Sequence, residues 1–333
     1  MSAPPLPREL QVEVTGACNL RCRMCLVRYR PPLDRARASL SLDRFRAIVD
    51  ALPGLARVTL QGLGEPLMAP DLPAMVEHAA RRGVRVGFNT NATLLTRAIA
   101  ERLVDAGLDW LHVSLDGATP ATYEGVREGA RLATVRRHVA GLVEVMRARG
   151  ASRPELALVF VAMRRNVAEL PAVVRLAAAW GVPRVRVQNL SHSFADTGGD
   201  AAYAAIADFT RAEALWDGDA APARAAFAAA RAAAASLGVA LRLPALEEPP
   251  AAAAPGEPGC DWPWRSAYVR HDGRVQPCCM LMGEDRAILG DAGGAGGFAA
   301  VWRGEAYEGF RAALRTPSPP EVCRGCSMYR GVF

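Results

Sequence analysis

Six short apolar runs with helical stretches between them fill the first 190 residues, and this alternation constrains the fold more than any other feature. Residues 10–14 alternate apolar and polar side chains and read as the first strand. Residues 57–61, 84–88, 111–115, 156–161 and 185–188 supply five more. Helical stretches fall between them at 42–52, 71–82, 96–106, 134–149 and 167–180. Ser41 is placed to cap the first, and Gly83, Gly107, Gly150 and Gly181 stop the others. Alternation of this kind predicts an α/β fold, a parallel sheet closing into a partial (β/α)6, TIM-like barrel with its helices outside.

Chemistry in such a fold gathers at the C-terminal ends of the strands. The polar residues of this chain gather there too. Thr15 to Cys25 follows the first strand, and Gly62-Leu63-Gly64-Glu65-Pro66 the second. Asn89-Thr90-Asn91 follows the third, and Ser114-Leu115-Asp116-Gly117 closes the fourth. Arg164 and Asn166 follow the fifth, and Gln188-Asn189 closes the sixth. The first of these loops carries Cys18, Cys22 and Cys25 at C-x3-C-x2-C. Thiolates are soft donors that suit an iron–sulfur cluster or, less well, zinc. Three ligands where four are usual leave an open position for chemistry.

Composition narrows the classes. With 51% apolar and 22% charged residues the chain is globular. No apolar run approaches the ~18–20 residues that span a bilayer, and the first nine residues hold no signal-peptide core. The sequence therefore reads as cytoplasmic, with no membrane partner, where eight cysteines are metal ligands before they are disulfides. The net charge of +6 rests entirely on arginine, because the chain has no lysine. That excludes a lysine Schiff base, and with it ordinary pyridoxal-phosphate chemistry. The arginines are dispersed, with Arg35, Arg37, Arg44 and Arg46 read as lying on or before a solvated helix face, so they do not point to nucleic acid.

Beyond residue 190 the pattern changes. A polar loop at 191–200 precedes alanine-rich helix, clearest at 222–237, and a short strand at 239–243. Residues 244–259, with five prolines and a run of four alanines, read as a linker. A small module follows from Cys260, with a hairpin about Asp272-Gly273, a glycine-rich loop at 290–297, a helix at 305–314 and Cys323-x2-Cys326. The domain reading is 1–190 for the barrel, 191–255 for a helical extension and linker, and 256–333 for the cysteine module.

The cysteine loop after the first strand, with Gly-Glu after the second, resembles the radical S-adenosylmethionine (SAM) superfamily. The resemblance implies that Cys18, Cys22 and Cys25 hold three irons of a [4Fe–4S] cluster whose fourth iron is chelated by SAM. It implies Met24 near the adenine, and Gly62, Gly64 and Glu65 facing the methionine amino group. Ser114 and Asp116 would lie near the ribose or carboxylate, and Asn89 and Gln188 complete the expected cofactor-binding set. The implied chemistry is a 5′-deoxyadenosyl radical that takes hydrogen from an unactivated carbon, fed by an electron donor such as flavodoxin or ferredoxin.

Cys260, Gly273, Cys278, Cys323 and Cys326 resemble in spacing the SPASM/twitch extension of that superfamily, in its single-cluster form. No cysteine follows Cys326, so a second auxiliary cluster is not expected. The implied role of this second [4Fe–4S] cluster is to accept an electron from a substrate radical, and a four-cysteine zinc site is the structural alternative. Cys279 beside Cys278 is a buried filler, an alternative ligand, or a catalytic thiol that returns hydrogen to the substrate. Arg164 and, less directly, His192 are candidates for substrate contact. His78 and His138 read as helix fillers, His112 as an interior strand residue, and His271 as a solvated turn residue. Trp262, Trp264 and Tyr268 read as packing within the small module.

The leading expectation is oxidation of a small metabolite or natural-product precursor. A peptide-modifying maturase, a redox-neutral epimerase and a non-catalytic zinc or iron–sulfur protein are the alternatives. Only nine residues precede Leu10, which places any leader-binding domain of the peptide reading in a separate protein.

Overall fold

The computed structural model of the chain describes residues 4–29, 39–197, 199–216, 219–247, 259–281 and 286–333. Its core is a run of parallel strands, β1 (Glu9–Val12), β2 (Arg57–Leu60), β3 (Arg85–Thr90), β4 (Trp110–Ser114), β5 (Glu155–Val161) and β6 (Arg184–Gln188). Helices α1 (Leu26–Tyr29), α2 (Leu42–Asp50), α3 (Leu72–Arg81), α4 (Arg97–Asp105), α5 (Pro120–Val126), α6 (Leu132–Ala148) and α7 (Leu170–Ala179) connect them. This is the partial barrel expected from the alternation, with strand limits within two residues. Helix α5 was not anticipated. Thr119 starts it, its hydroxyl accepting from the Thr122 amide at 3.3 Å.

Period-two alternation divides the sheet into two faces. Val58, Leu60, Val86, Phe88, Leu111, Leu158, Phe160 and Val185 have no solvent exposure and lie in the main hydrophobic core. Each such side chain contributes roughly 1.5–3 kcal/mol by burial. The intervening positions, such as Thr59, Asn89, His112, Ser114, Arg186 and Gln188, are half-buried and polar, so the concave side is a polar lumen.

The sheet continues past both ends of the expected barrel. Helices α8 (Ala201–Glu213) and α9 (Ala221–Leu237) lead to β7 (Ala240–Arg242), which pairs in parallel with β6. Gly238 ends α9 at φ 67°, a left-handed turn. At the opposite edge, β8 (Tyr268–Val269) pairs in parallel with β1, and β9 (Arg274–Gln276) and β10 (Gly290–Asp291) follow antiparallel. The strand order is β10-β9-β8-β1-β2-β3-β4-β5-β6-β7 in one ten-stranded sheet. The hairpin of the cysteine module is therefore bonded into the barrel sheet. Short helices α10 (Trp262–Arg265), α11 (Gly297–Trp302), α12 (Glu305–Leu314) and α13 (Glu321–Arg324) complete the module.

That junction corrects the reading of His271. It is 5% exposed rather than solvated, with Nδ1 2.5 Å from a carboxylate oxygen of Glu13, and the Tyr268 hydroxyl donates to the other oxygen. Tyr268 thus bridges to the barrel as well as packing its own module. The segment with Arg35 and Arg37 and most of the linker at 244–259 lie outside the described residues. No helix among the described residues is long and apolar enough to cross a membrane.

Candidate active site

Strand β1 delivers the chain into the cysteine loop, and local bonds fix its course. The Thr15 hydroxyl accepts from the Ala17 amide at 3.2 Å. The Cys25 amide donates to Cys22 O at 3.1 Å, and Arg28 N to Cys25 O at 3.0 Å, which starts α1. The segment after α5 anchors the far side. Arg21 N donates to Glu128 O at 3.1 Å and Arg23 N to Val126 O at 2.9 Å, while the Glu128 carboxylate pairs with Arg23 at 3.2 Å and with Arg28.

Burial raises all three thiols, Cys18 to about 11 and Cys25 to about 12, with Cys22 also pushed up. Each of the three also feels at least one other cysteine of the loop or the Arg127 charge. Neighbouring thiols, one buried and two half-buried, are a donor set in which a bound metal, rather than solvent, displaces the protons. Among the described residues no group of three or more Cys, His, Asp and Glu side chains is arranged around a single metal ion. A polynuclear cluster takes each thiolate on a different iron and does not require that convergence. The donor chemistry of the loop therefore fits an iron–sulfur cluster.

The second loop braces the first. Glu65 N donates to Ala17 O at 2.8 Å. A β-carbon at Gly64 would collide with the carbonyl oxygens of Thr15 and Ala17, so only glycine lets these two loops meet. A β-carbon at Gly62 would likewise collide with the Glu13 side chain. The Glu65 carboxylate is 3% exposed and accepts from Thr90 Oγ1 at 2.6 Å, Asn91 N at 2.8 Å and Leu67 N at 3.2 Å. Burial pushes its pKa up against those bonds. Asn91 carries the brace back to the cysteine loop, donating to Asn19 Oδ1 at 2.9 Å. Glu65→Ala strands a buried hydroxyl and a buried amide, and is expected to cost about 2–4 kcal/mol of stability. Anaerobic urea unfolding checks this; a loss below about 0.5 kcal/mol would contradict the brace.

Asp116, read as a cofactor contact, is fully buried and bonded within the protein. Its carboxylate accepts from Val161 N at 2.7 Å and pairs with Arg127 Nε at 2.6 Å. Arg127 Nη1 in turn lies 3.7 Å from the Cys22 sulfur. Burial acts to lower the Arg127 pKa, but Asp116 and Cys22 outweigh it and hold the guanidinium charged. Sequence reasoning missed Arg127, because nothing local marks an arginine after an unexpected helix as the cation of the cysteine loop. Glu169 fixes the start of that helix, accepting from Ala118 N at 2.6 Å and Thr122 Oγ1 at 2.6 Å.

The remaining candidates fall in three places. Ser114 and Gln188 lie on the lumen side of β4 and β6, and Asn89 Oδ1 accepts from His112 Nδ1 at 3.0 Å. Met24 packs with Val126, Met163 and Leu190 over the ends of β5 and β6. Arg164 is exposed, its Nε donating to Ala214 O at 3.0 Å, on the rim rather than in the lumen. His192 is corrected from a mouth residue to an anchor. It is 1% exposed, Nε2 donates to Val322 O at 2.8 Å, and Nδ1 accepts from Phe194 N at 2.9 Å.

His192 also forms a β-bridge with Cys326, and Ser193 N donates to Gly325 O at 2.8 Å, so the loop after β6 seats the terminal C-x2-C. There the other cysteines meet. Cys278 feels Cys279, Cys326 and Cys323, Cys279 feels Cys326 and Cys260, and Cys323 feels Cys326 and Cys260. Burial raises Cys279 and Cys323 to about 12, and Cys260 and Cys278 also rise. Five thiols, Cys326 buried and the others half-buried, lie within electrostatic reach of one another and fit an iron–sulfur group, with Cys279 beside Cys278 among them.

A cysteine-bearing loop at the mouth of a partial barrel, tied by one sheet to a second cysteine set, defines an iron–sulfur enzyme architecture. The chain belongs to the radical SAM superfamily, whose family model matches residues 12–176, and the model of the SPASM iron–sulfur cluster-binding domain matches residues 260–327. These domains imply a [4Fe–4S] cluster with SAM and an auxiliary iron–sulfur site. The chain is 31% identical over 185 residues to a tungsten-containing aldehyde ferredoxin oxidoreductase cofactor-modifying protein of Pyrococcus furiosus, covering 54% of this chain and 51% of that protein. It is 32% identical over 190 residues to a PqqA peptide cyclase of Streptomyces rochei, covering 56% and 49%. It thus spans about half the length of the curated relatives it matches. Its fold is similar to Streptococcus suis SuiB bound to precursor peptide SuiA, with TM-score 0.70 and 17% identity over 98% of this chain and 70% of that one.

Proposed function

We propose that this radical SAM enzyme oxidatively modifies a carbon of a peptide, with Cys18, Cys22 and Cys25 holding the SAM cluster and Cys260, Cys278, Cys323 and Cys326 the auxiliary one. The observation that carries the reading is the β1–β8 pairing. The strand that enters the Cys18–Cys25 loop is bonded to β8, which follows Cys260 and opens the hairpin whose second strand, β9, leads to Cys278. Two redox sites on neighbouring strands suit a reaction that begins with a radical and ends with loss of a second electron. Peptide as the substrate class is supported by the similarity to PqqA peptide cyclases at 32% and 29% identity. This reverses the order expected from sequence, where a small metabolite came first.

The bound groups supply hydrogen-atom abstraction at one site and one-electron acceptance at the other. The substrate gives up a hydrogen atom, then a proton and an electron, and a new bond replaces two hydrogens. The protein's part is placement. Glu65, Gly64 and Asn91 hold the cysteine loop against the barrel, and the Arg127 cation stands beside the Cys22 sulfur. The half-buried lumen side of Ser114 and Gln188 offers polar contacts to the reactants.

The test is anaerobic incubation of a carbon-deuterated precursor peptide with SAM and a low-potential donor such as flavodoxin or ferredoxin. Deuterium in 5′-deoxyadenosine and a peptide that has lost two hydrogen isotopes are expected. A peptide that exchanges hydrogen with no net loss would point to epimerisation. An untouched peptide alongside conversion of a small metabolite would overturn the peptide assignment.

A further inference from the structure

The opposite end of the barrel holds a cavity of about 250 Å³ that the proposed reaction does not use. Arg57, Arg85, Trp110, Glu155 and Arg184 line it, and each is the first residue of its strand. The cavity is therefore the N-terminal floor of the lumen, a strand length, roughly 17–20 Å, from the cysteine loops.

Its charge is unbalanced. Four guanidinium groups line it, those of Arg57, Arg85, Arg184 and Arg186, against the one carboxylate of Glu155. Glu155 already lies 2.7 Å from Arg184 and 3.6 Å from Arg85. Arg186 is left among its own kind. Burial, then the charges of its β7 register partner Arg242 and of Arg57, pull its pKa below the usual arginine range. His112 offers no counter-charge, because burial and then Arg186, Arg57 and Arg184 push it down to about 3 and keep it neutral. Arg57 lies over the Trp110 ring at 4.9 Å. Trp110 is 5% exposed, and its indole N–H finds no acceptor among the described residues. Gly87 makes room for that ring, since a β-carbon there would collide with it.

We propose that this floor is a binding site for a small oxyanion, a phosphate or a dicarboxylate, held by Arg186 and Arg57 with the Trp110 N–H as a further donor. Guanidinium groups match the planar, forked geometry of such anions, and excess positive charge favours a dianion over chloride. The volume falls below the usual ~300–1,000 Å³ of organic-ligand pockets, which fits a small anion and not a peptide. The site stands independently of the peptide assignment.

The test is calorimetric titration of the full cluster-loaded chain, without SAM, with inorganic phosphate and with succinate at constant ionic strength in chloride. Saturable binding of at least one is expected, about tenfold or more weaker in Arg186→Gln and unchanged in Arg102→Gln, an exposed arginine on α4. The tighter of the two probes tells phosphate from dicarboxylate. Because Arg186 faces like charges, Arg186→Gln is expected to melt no lower than the parent in chloride, and to lose the rise in melting temperature that the anion gives the parent. If that variant does not fold, Arg57→Gln decides by the same criteria. Absence of saturable binding, or binding unaltered in the folded variant, would overturn the site.

Discussion

Cys22→Ala is expected to abolish formation of 5′-deoxyadenosine and to remove about four irons per chain, leaving the iron of the second site in place. Cys22 is the most buried of the three loop cysteines and is the one beside the Arg127 guanidinium, at 3.7 Å. Alanine there removes a ligand that neither solvent nor a neighbouring side chain replaces. It also leaves the Arg127 charge facing a site without thiolate. The expected loss is several orders of magnitude, because reactivity depends on the cofactor and the protein contributes placement. The loop should keep its shape, since its anchors are the backbone bonds of Arg21 and Arg23 to the 126–128 segment. A variant that keeps its iron and cleaves SAM would remove Cys22 from the ligand set.

Cys323→Ala is expected to separate two activities. Substrate oxidation should fall below detection while SAM cleavage continues, because the second site is needed only after hydrogen has been taken. Folding is not at issue. The terminal C-x2-C is seated by Ser193 N on Gly325 O, by Ser327 N on Ser191 O and by His192 on Val322 O, none of which uses the thiol of Cys323. Equal loss of both activities, with the fold retained, would make the second site structural. The companion pair Cys278→Ala and Cys279→Ala decides which neighbour binds iron. Loss of about four irons is expected for Cys278→Ala alone.

The parts of this molecule legible in sequence are those written in local periodicity. Alternating β-branched and apolar runs with glycine stops gave six strands, and the polar residues after them gave the mouth. The short strand at 239–243 was visible, but its partner β6 was not, since a long helical excursion separates them. Pairing of Gln11 with Tyr268 joins residues more than three quarters of the chain apart, and no local pattern encodes it. The same distance hid the Glu13, Tyr268 and His271 cluster, so a buried histidine read as a turn residue. Arg127 was hidden for a different reason. Its role depends on Asp116 and Cys22 converging from two other loops, and the chain's many arginines gave it no distinction. The floor arginines were missed because attention to strand ends favours the C-terminal side, where such folds do their chemistry.

Anaerobic reconstitution of the full chain, with iron and sulfide analysis and a parallel SAM cleavage assay, decides whether the protein carries two iron–sulfur clusters and cleaves SAM. Roughly eight irons and eight sulfides per chain and reductant-dependent formation of 5′-deoxyadenosine are expected. Bound zinc, no visible absorbance and intact SAM would contradict both.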